Sequence, residues 1–240
     1  MGDAALSSLI AIVPLDRPGP ALPHGVLTDL GGRPLLAWTL ASAAEAAALD
    51  DLVVAGADPE ALAWARNWGA RAVEAPLPAA STGSAETALH VLRILGSRKT
   101  LPDTVALLSA SLPLRRPGRV EEACVAFRRA RAESLLSVCE EAPCFWCPSP
   151  GGLIPLYDHQ RGRTHAPGEP WLRENGSLYL ALSSGLVRHR QRLFGRITTL
   201  EMDWTESVRA DDPAGLAVCR ALLEHVRAPV VVAAAAAAAV

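Results

Sequence analysis

The stretch Leu9-Ile-Ala-Ile-Val13 is unbroken apolar sequence, closed by Pro14. It is far too short to span a bilayer. It also lacks the polar alternation of a strand that faces water on one side. Both of its faces must therefore be covered by other elements, the condition of a central strand in a parallel sheet. Downstream, Gly31-Gly-Arg-Pro-Leu-Leu-Ala-Trp-Thr-Leu40 places Pro34 where the first turn of a helix accepts it, and predicts a helix over 35–48.

The same strand-then-helix alternation continues along the chain. Strands are expected at 52–55, 72–73, 104–108, 135–138 and 177–182. Helices are expected at 59–69 with Gly69 at its end, at 84–95 with Ser81 or Ser84 as cap, and at 119–131 and 212–226. Such alternation predicts an α/β fold with a mainly parallel, doubly wound sheet, whose ligands lie beyond the carboxyl ends of the strands. Those ends fall at 14–26, 55–60, 109–116 and before Ser177. The segment from about 140 to 172 differs in texture, being rich in Pro and Gly and carrying Cys, His and Trp, as an inserted hairpin or subunit-contact arm would be. No internal repeat is found. Residues 1–228 read as a single domain, and 229–240 as a low-complexity Ala-rich tail with no polar face.

Half of the 240 residues are hydrophobic, enough for one sizeable core. A formal net charge of −2 argues against a nucleic-acid partner or a basic membrane-binding face. Lys99 is the only lysine among 23 cations, which matters because arginine does not replace a phosphate-binding lysine in every tight loop. Five cysteines and no signal-like start favour a reducing, cytoplasmic compartment. Cys144-Phe-Trp-Cys147 has the spacing of a metal or redox pair, but no second pair or histidine cluster accompanies it; ordinary thiols are the other reading.

Four stretches together resemble the acylneuraminate cytidylyltransferases, the CMP-sialic acid (CMP-nonulosonate) synthetase family. They are IAIVP, LGGRPLLAWTL, the run from Ser111 to Val138, and Arg173-Glu-Asn-Gly-Ser-Leu-Tyr-Leu-Ala181. The likeness runs over roughly residues 8–226 and implies a Rossmann-like nucleotide-diphospho-sugar transferase fold with a short inserted dimerisation-type arm. It further implies transfer of CMP from CTP to the anomeric hydroxyl of a nonulosonic acid, with Mg²⁺ as cofactor. A homodimer, or a heterodimer with a paralogue, is implied as well.

The resemblance also assigns candidate site residues. In the phosphate loop the family arginine falls on Asp16, with Arg17 one place later as candidate catalytic and nucleotide-binding residue. The family's glycine pair falls on Arg17-Pro18, its loop lysine on Pro20, and its Lys-Asn pair on Gly25-Val26. Prolines remove N–H donors, and each lost charge-assisted bond is worth about 1.5–3 kcal/mol. Ser109 and Ser111 are implied to bind nucleotide. Arg115, Arg173, Glu174 and Asn175 are implied to bind the sugar acid. Asp211 is implied as catalytic and metal-ligating, but Arg209 occupies the partner position, where a cation opposes metal binding. Two alternatives stay open for the 173–177 segment, a ligand contact or a turn that serves only the fold, and two for Arg115, a ligand anion or a surface position against a subunit neighbour. The expectation for function is a cytidylyltransferase with weakened or lost transfer. The alternative is a noncatalytic scaffold, partner or ligand sensor.

Overall fold

The computed structural model describes residues 8–15, 22–76, 83–96, 101–141, 144–157 and 171–227. A seven-stranded sheet runs through the middle of the molecule. Its strands are β1 (Leu9–Pro14), β2 (Asp51–Gly56), β3 (Arg71–Glu74), β4 (Thr104–Leu108), β5 (Ser134–Glu141), β8 (Trp171–Leu182) and β9 (Ile197–Glu201). Their order is β3-β2-β1-β4-β8-β5-β9, with β8 antiparallel to both of its neighbours and every other pairing parallel. A separate hairpin, β6 (Trp146–Ser149) and β7 (Gly152–Pro155), lies within the expected arm.

The apolar run of β1 divides between the two faces with period two, as a doubly covered strand must. Leu9, Ala11 and Val13 pack with α1 (Leu35–Ala44), α2 (Pro59–Trp68) and α4 (Arg119–Ala130). Ile10 and Ile12 pack with α3 (Gly83–Gly96) and α5 (Ser183–His189). The same division holds for Leu52/Val53, Val105/Ala106 and Leu178/Tyr179. The expected α/β architecture is thus present. The sixth helix, α6 (Pro213–Arg227), packs instead on the segment that carries Leu22, Leu30 and Leu35, beyond the carboxyl end of β1.

Local chemistry fixes several ends. The Asp58 carboxylate accepts from the backbone N–H groups of Glu60 and Ala61, Pro59 opens α2, and Gly69 closes it at φ 108°. Pro34 stands one place outside α1 as its cap rather than in its first turn, and that helix ends at Ala44 rather than at 48.

Three elements depart from the sequence expectation. β8 begins at Trp171 rather than Ser177, so the Arg173–Ser177 stretch is strand and not loop. It is a strand with a wide bulge: Leu136 pairs with Tyr179 and Val138 with Glu174, leaving Ser137 alone opposite residues 175–178. Strand β9 and helix α5 were not expected at all. Residues 158–170 of the arm and the Ala-rich tail lie outside the described residues.

Candidate functional site

Three segments meet beyond the carboxyl end of β4, and hydrogen bonds join them. The first is 109–116, which follows β4. The second is the β8 bulge, and the third is 207–213, which leads into α6. The Ser109 N–H donates to the Ser177 carbonyl at 3.1 Å, and the Ala210 N–H donates to the Ser111 carbonyl at 2.8 Å. The Asn175 side-chain amide donates to the Ser207 hydroxyl at 2.9 Å. Ala210 is buried in the same cluster as Leu22, so the third segment borders the point where the candidate phosphate loop re-enters the described structure. Arg17 lies outside the described residues.

Arg115 is at the centre of this junction and is only 7% exposed. Its Nη2 donates to the carbonyls of Ser109 (2.5 Å) and Ser177 (2.8 Å), and its Nη1 to the Thr39 hydroxyl (3.1 Å). Burial pushes its pKa down to about 10, despite the opposing pull of Glu206. The resemblance assigns this guanidinium to the sugar acid. Internal carbonyls occupy it, and it pins α1, the β4 exit and β8 together.

Asn175, also assigned to the sugar acid by the resemblance, is turned inward. It is 3% exposed. Its Oδ1 accepts from the Ser137 hydroxyl (2.6 Å) and the Ser177 N–H (3.0 Å), while the Ser137 hydroxyl accepts from the Leu178 N–H (2.8 Å). These side chains replace the ladder bonds that the bulge removes, as buried backbone groups require. Gly176 supplies the positive φ, +77°, on which the bulge turns.

Successive strand residues face opposite ways, so Arg173 and Glu174 part company. Arg173 turns to the Glu141 carboxylate and the Cys139 sulfur. Glu174 turns to the other face, where its Oε1 accepts from the Tyr179 hydroxyl and from Arg192 at 2.9 Å. Arg192 also covers the Tyr179 ring at 4.4 Å and donates to the Ser84 hydroxyl at the start of α3. Burial, helped by the Glu174 hydrogen bond, pushes the Tyr179 hydroxyl well above its ordinary pKa.

Arg209 and Asp211 are both half exposed and paired, Nε to Oδ2 at 2.5 Å. The Arg209 Nη1 lies beside Gly176, 3.5 Å from where a β-carbon would stand, and the Tyr179 hydroxyl is 3.7 Å from the same point. The sequence expectation that Asp211 and Arg209 meet at one site thus corresponds to a direct ion pair. A hard divalent cation requires several oxygen ligands. Asp211 is already bound to a guanidinium, and no group of three or more His, Cys, Asp or Glu suited to a metal occurs among the described residues. The described residues do not fit the Mg²⁺ that the resemblance implies.

Sequence reasoning missed Thr39, Tyr179, Arg192 and the buried pair of Arg119 with Glu206. The Glu206 carboxylate is 1% exposed and receives Arg119 Nε (2.9 Å) and Nη2 (2.5 Å), the Arg116 N–H (2.8 Å) and the Asp203 N–H (3.2 Å). Thr39 carried a signal, since it is a polar residue inside the apolar face of α1. The Arg119–Glu206 pair carried none, because its partners are remote in sequence.

Comparison with known proteins supplies the remaining observations. No family model matches the chain. The chain is 23% identical over 224 residues to the CMP-N,N'-diacetyllegionaminic acid synthase of Legionella pneumophila, a match that covers 90% of this chain and 96% of that protein. Among solved structures, a CMP:2-keto-3-deoxy-manno-octonic acid synthetase in complex with CTP superposes with a TM-score of 0.70 at 18% identity, over 91% of this chain and 99% of that one. The 4-diphosphocytidyl-2C-methyl-D-erythritol synthase of Anaerococcus prevotii gives 0.66 at 9% identity, over 90% and 98%. The fold is that of these cytidylyltransferases, and the resemblance in sequence extends over nearly the whole chain.

Proposed function

We propose that this chain handles a cytidine nucleotide and an acidic sugar in the cleft beyond the carboxyl end of β4, transferring CMP from CTP to a nonulosonic acid. The observation that carries this reading is the end-to-end likeness to a CMP-legionaminic acid synthase, with few residues of either protein left uncovered. Turnover is slow by comparison with enzymes that present two carboxylates to a metal. In the 207–213 segment Asp211 is engaged by Arg209 and Asp212 accepts the Gly215 N–H, and the candidate loop lacks lysine. Ser109 and Ser111 flank the nucleotide on this reading, with Glu174, on the face that carries Tyr179, toward the sugar acid and Arg17 completing the phosphate loop. The protein acts in the cytoplasm as a dimer.

The test is pyrophosphate release from CTP with a panel of nonulosonic acids, including legionaminic, sialic and keto-deoxyoctonic acids. Release that depends on one of these acids is the expected result. No release at high enzyme concentration across the panel sinks the transferase reading. A second reading, a noncatalytic ligand sensor or partner of an active paralogue, is favoured by the burial of Arg115 and Asn175, two of the candidate ligand contacts. Calorimetric binding of CTP or a sugar acid without turnover would select the sensor. Co-purification with a catalytically active relative would select the partner role.

A further inference from the structure

We propose that Arg209 is an anion-binding residue of this cleft, that phosphate recognition here needs no divalent cation, and that Asp211 is the positioning residue that aims the guanidinium. The inference rests on reading the cleft as a nucleotide site, and it names the group that neutralises the phosphates.

The geometry points this way in four respects. Asp211 takes the Nε of Arg209, and the two terminal nitrogens make no hydrogen bond among the described residues. A guanidinium held at its inner nitrogen, with its outer fork unoccupied, is arranged for bidentate capture of phosphate oxygens. The side chain is 46% exposed, so the fork is open to a ligand. Its backbone is fixed, because the next residue, Ala210, is buried against Leu22 and Leu30 and donates its N–H to Ser111. Lastly, Gly176 leaves the flank of Nη1 uncrowded.

The neighbouring carboxylates are committed elsewhere. Glu174 is bound by Tyr179 and Arg192, and Asp212 accepts the Gly215 N–H at the start of α6. A metal at Asp211 must break the pair with Arg209 and then sit beside its positive charge, a doubly unfavourable exchange. An anionic ligand has no such conflict.

The experiment is calorimetric titration of the full-length protein with CTP and, separately, inorganic pyrophosphate, in EDTA and in Mg²⁺. Arg209→Ala, Arg209→Lys and Asp211→Asn are titrated in parallel, and melting curves verify that each variant is folded. CTP affinity is expected to agree within about twofold between the two buffers, and Arg209→Ala is expected to weaken it roughly tenfold or more. Arg209→Lys is expected to recover only part of the loss, because lysine has no fork. Asp211→Asn is expected to cost a few-fold, since it frees the guanidinium without removing it. Binding seen only with Mg²⁺ overturns this inference and leaves the nucleotide reading standing. Unchanged affinity in Arg209→Ala does the same. No heat from CTP or pyrophosphate in either buffer overturns both.

Discussion

Arg115 and Arg209 belong to the same junction and differ chiefly in burial, which decides what each can do. The buried one has exchanged water for three internal acceptors, so removing it strands the carbonyls of Ser109 and Ser177. Arg115→Ala is expected to lower unfolding free energy by roughly 3 kcal/mol, because bonds from a charged donor contribute about 1.5–3 kcal/mol each and do not sum fully. Urea titration measures it, and a loss within experimental error would show the junction is held by packing alone. Glu206 makes a related point through pH. Burial works against its ionisation, but the Arg119 guanidinium and the N–H groups of Arg116 and Asp203 outweigh it and hold the pKa below the ordinary 4.5. A carboxylate depressed in the folded state contributes stability above its unfolded pKa and loses it as pH falls through the folded one. Stability should therefore fall as pH drops below about 4.5, and Glu206→Gln should flatten that fall while costing roughly 3–5 kcal/mol at neutral pH. Denaturant midpoints across that range decide it; an unchanged acid slope in the variant would exclude Glu206 as its source.

At the scale of elements, the β8 bulge is the feature on which the junction of the three segments turns. Asn175 satisfies three groups there, so Asn175→Ala is expected to cost roughly 2–4 kcal/mol. Gly176→Ala meets only ordinary contacts at 3.5 and 3.7 Å, and should cost about 1–2 kcal/mol, chiefly from its positive φ. Equilibrium unfolding of both variants checks the order; a costlier glycine variant would mean that Arg209 and Tyr179 crowd the bulge. The bulge also shows why legibility differed among elements. β1, β2 and β4 were readable because a strand covered on both faces must be apolar throughout. The ends of α2 were readable because Asp58, Pro59 and Gly69 each have one suitable place. Arg173-Glu-Asn-Gly resembles a turn in any local window; pairing with Val138–Glu141 of β5, far away in sequence, makes it a strand, and Ser137 satisfies its bulge. Strand β9 is an edge with mostly exposed or half-buried residues, so its hydrophobic signal is faint; the β-branched run Ile197-Thr-Thr199 was the cue available. Within the site, the placement of Ser109 and Ser111 at the end of β4 was legible. The inward turn of Arg115 and Asn175 was not, since charge and polarity do not reveal direction.

For the whole molecule, the unresolved energetic question is the hairpin of β6 and β7. Two paired strands are marginal alone in water, yet Phe145, Trp146, Leu153, Ile154 and Leu156 are exposed on it, and Trp171 and Leu172 are exposed where β8 begins. Register divides this apolar surface between two faces: Trp146 pairs with Pro155 and Pro148 with Leu153 on one, while Cys147 pairs with Ile154 on the other, which Phe145 and Leu156 extend. Exposed apolar side chains gathered on a hairpin face in this way are characteristic of an interaction face. A second copy is the occupant we propose, because a two-fold contact sets a patch against itself, and a patch made mainly of apolar side chains is complementary to its own copy without any matching of charge. Light scattering of the full-length protein is expected to give twice the chain mass. Ile154→Asp together with Leu156→Asp, which share one face, should shift it to monomer, since paired charges on a buried apolar face cost several kcal/mol. Both positions are exposed within the chain, so the variant should melt as a folded domain. A monomer for the unaltered protein at about 50 μM would sink the dimer, given that stable interfaces of ordinary size hold at micromolar concentrations or below. A dimer that survives the double substitution would place the contact on another face.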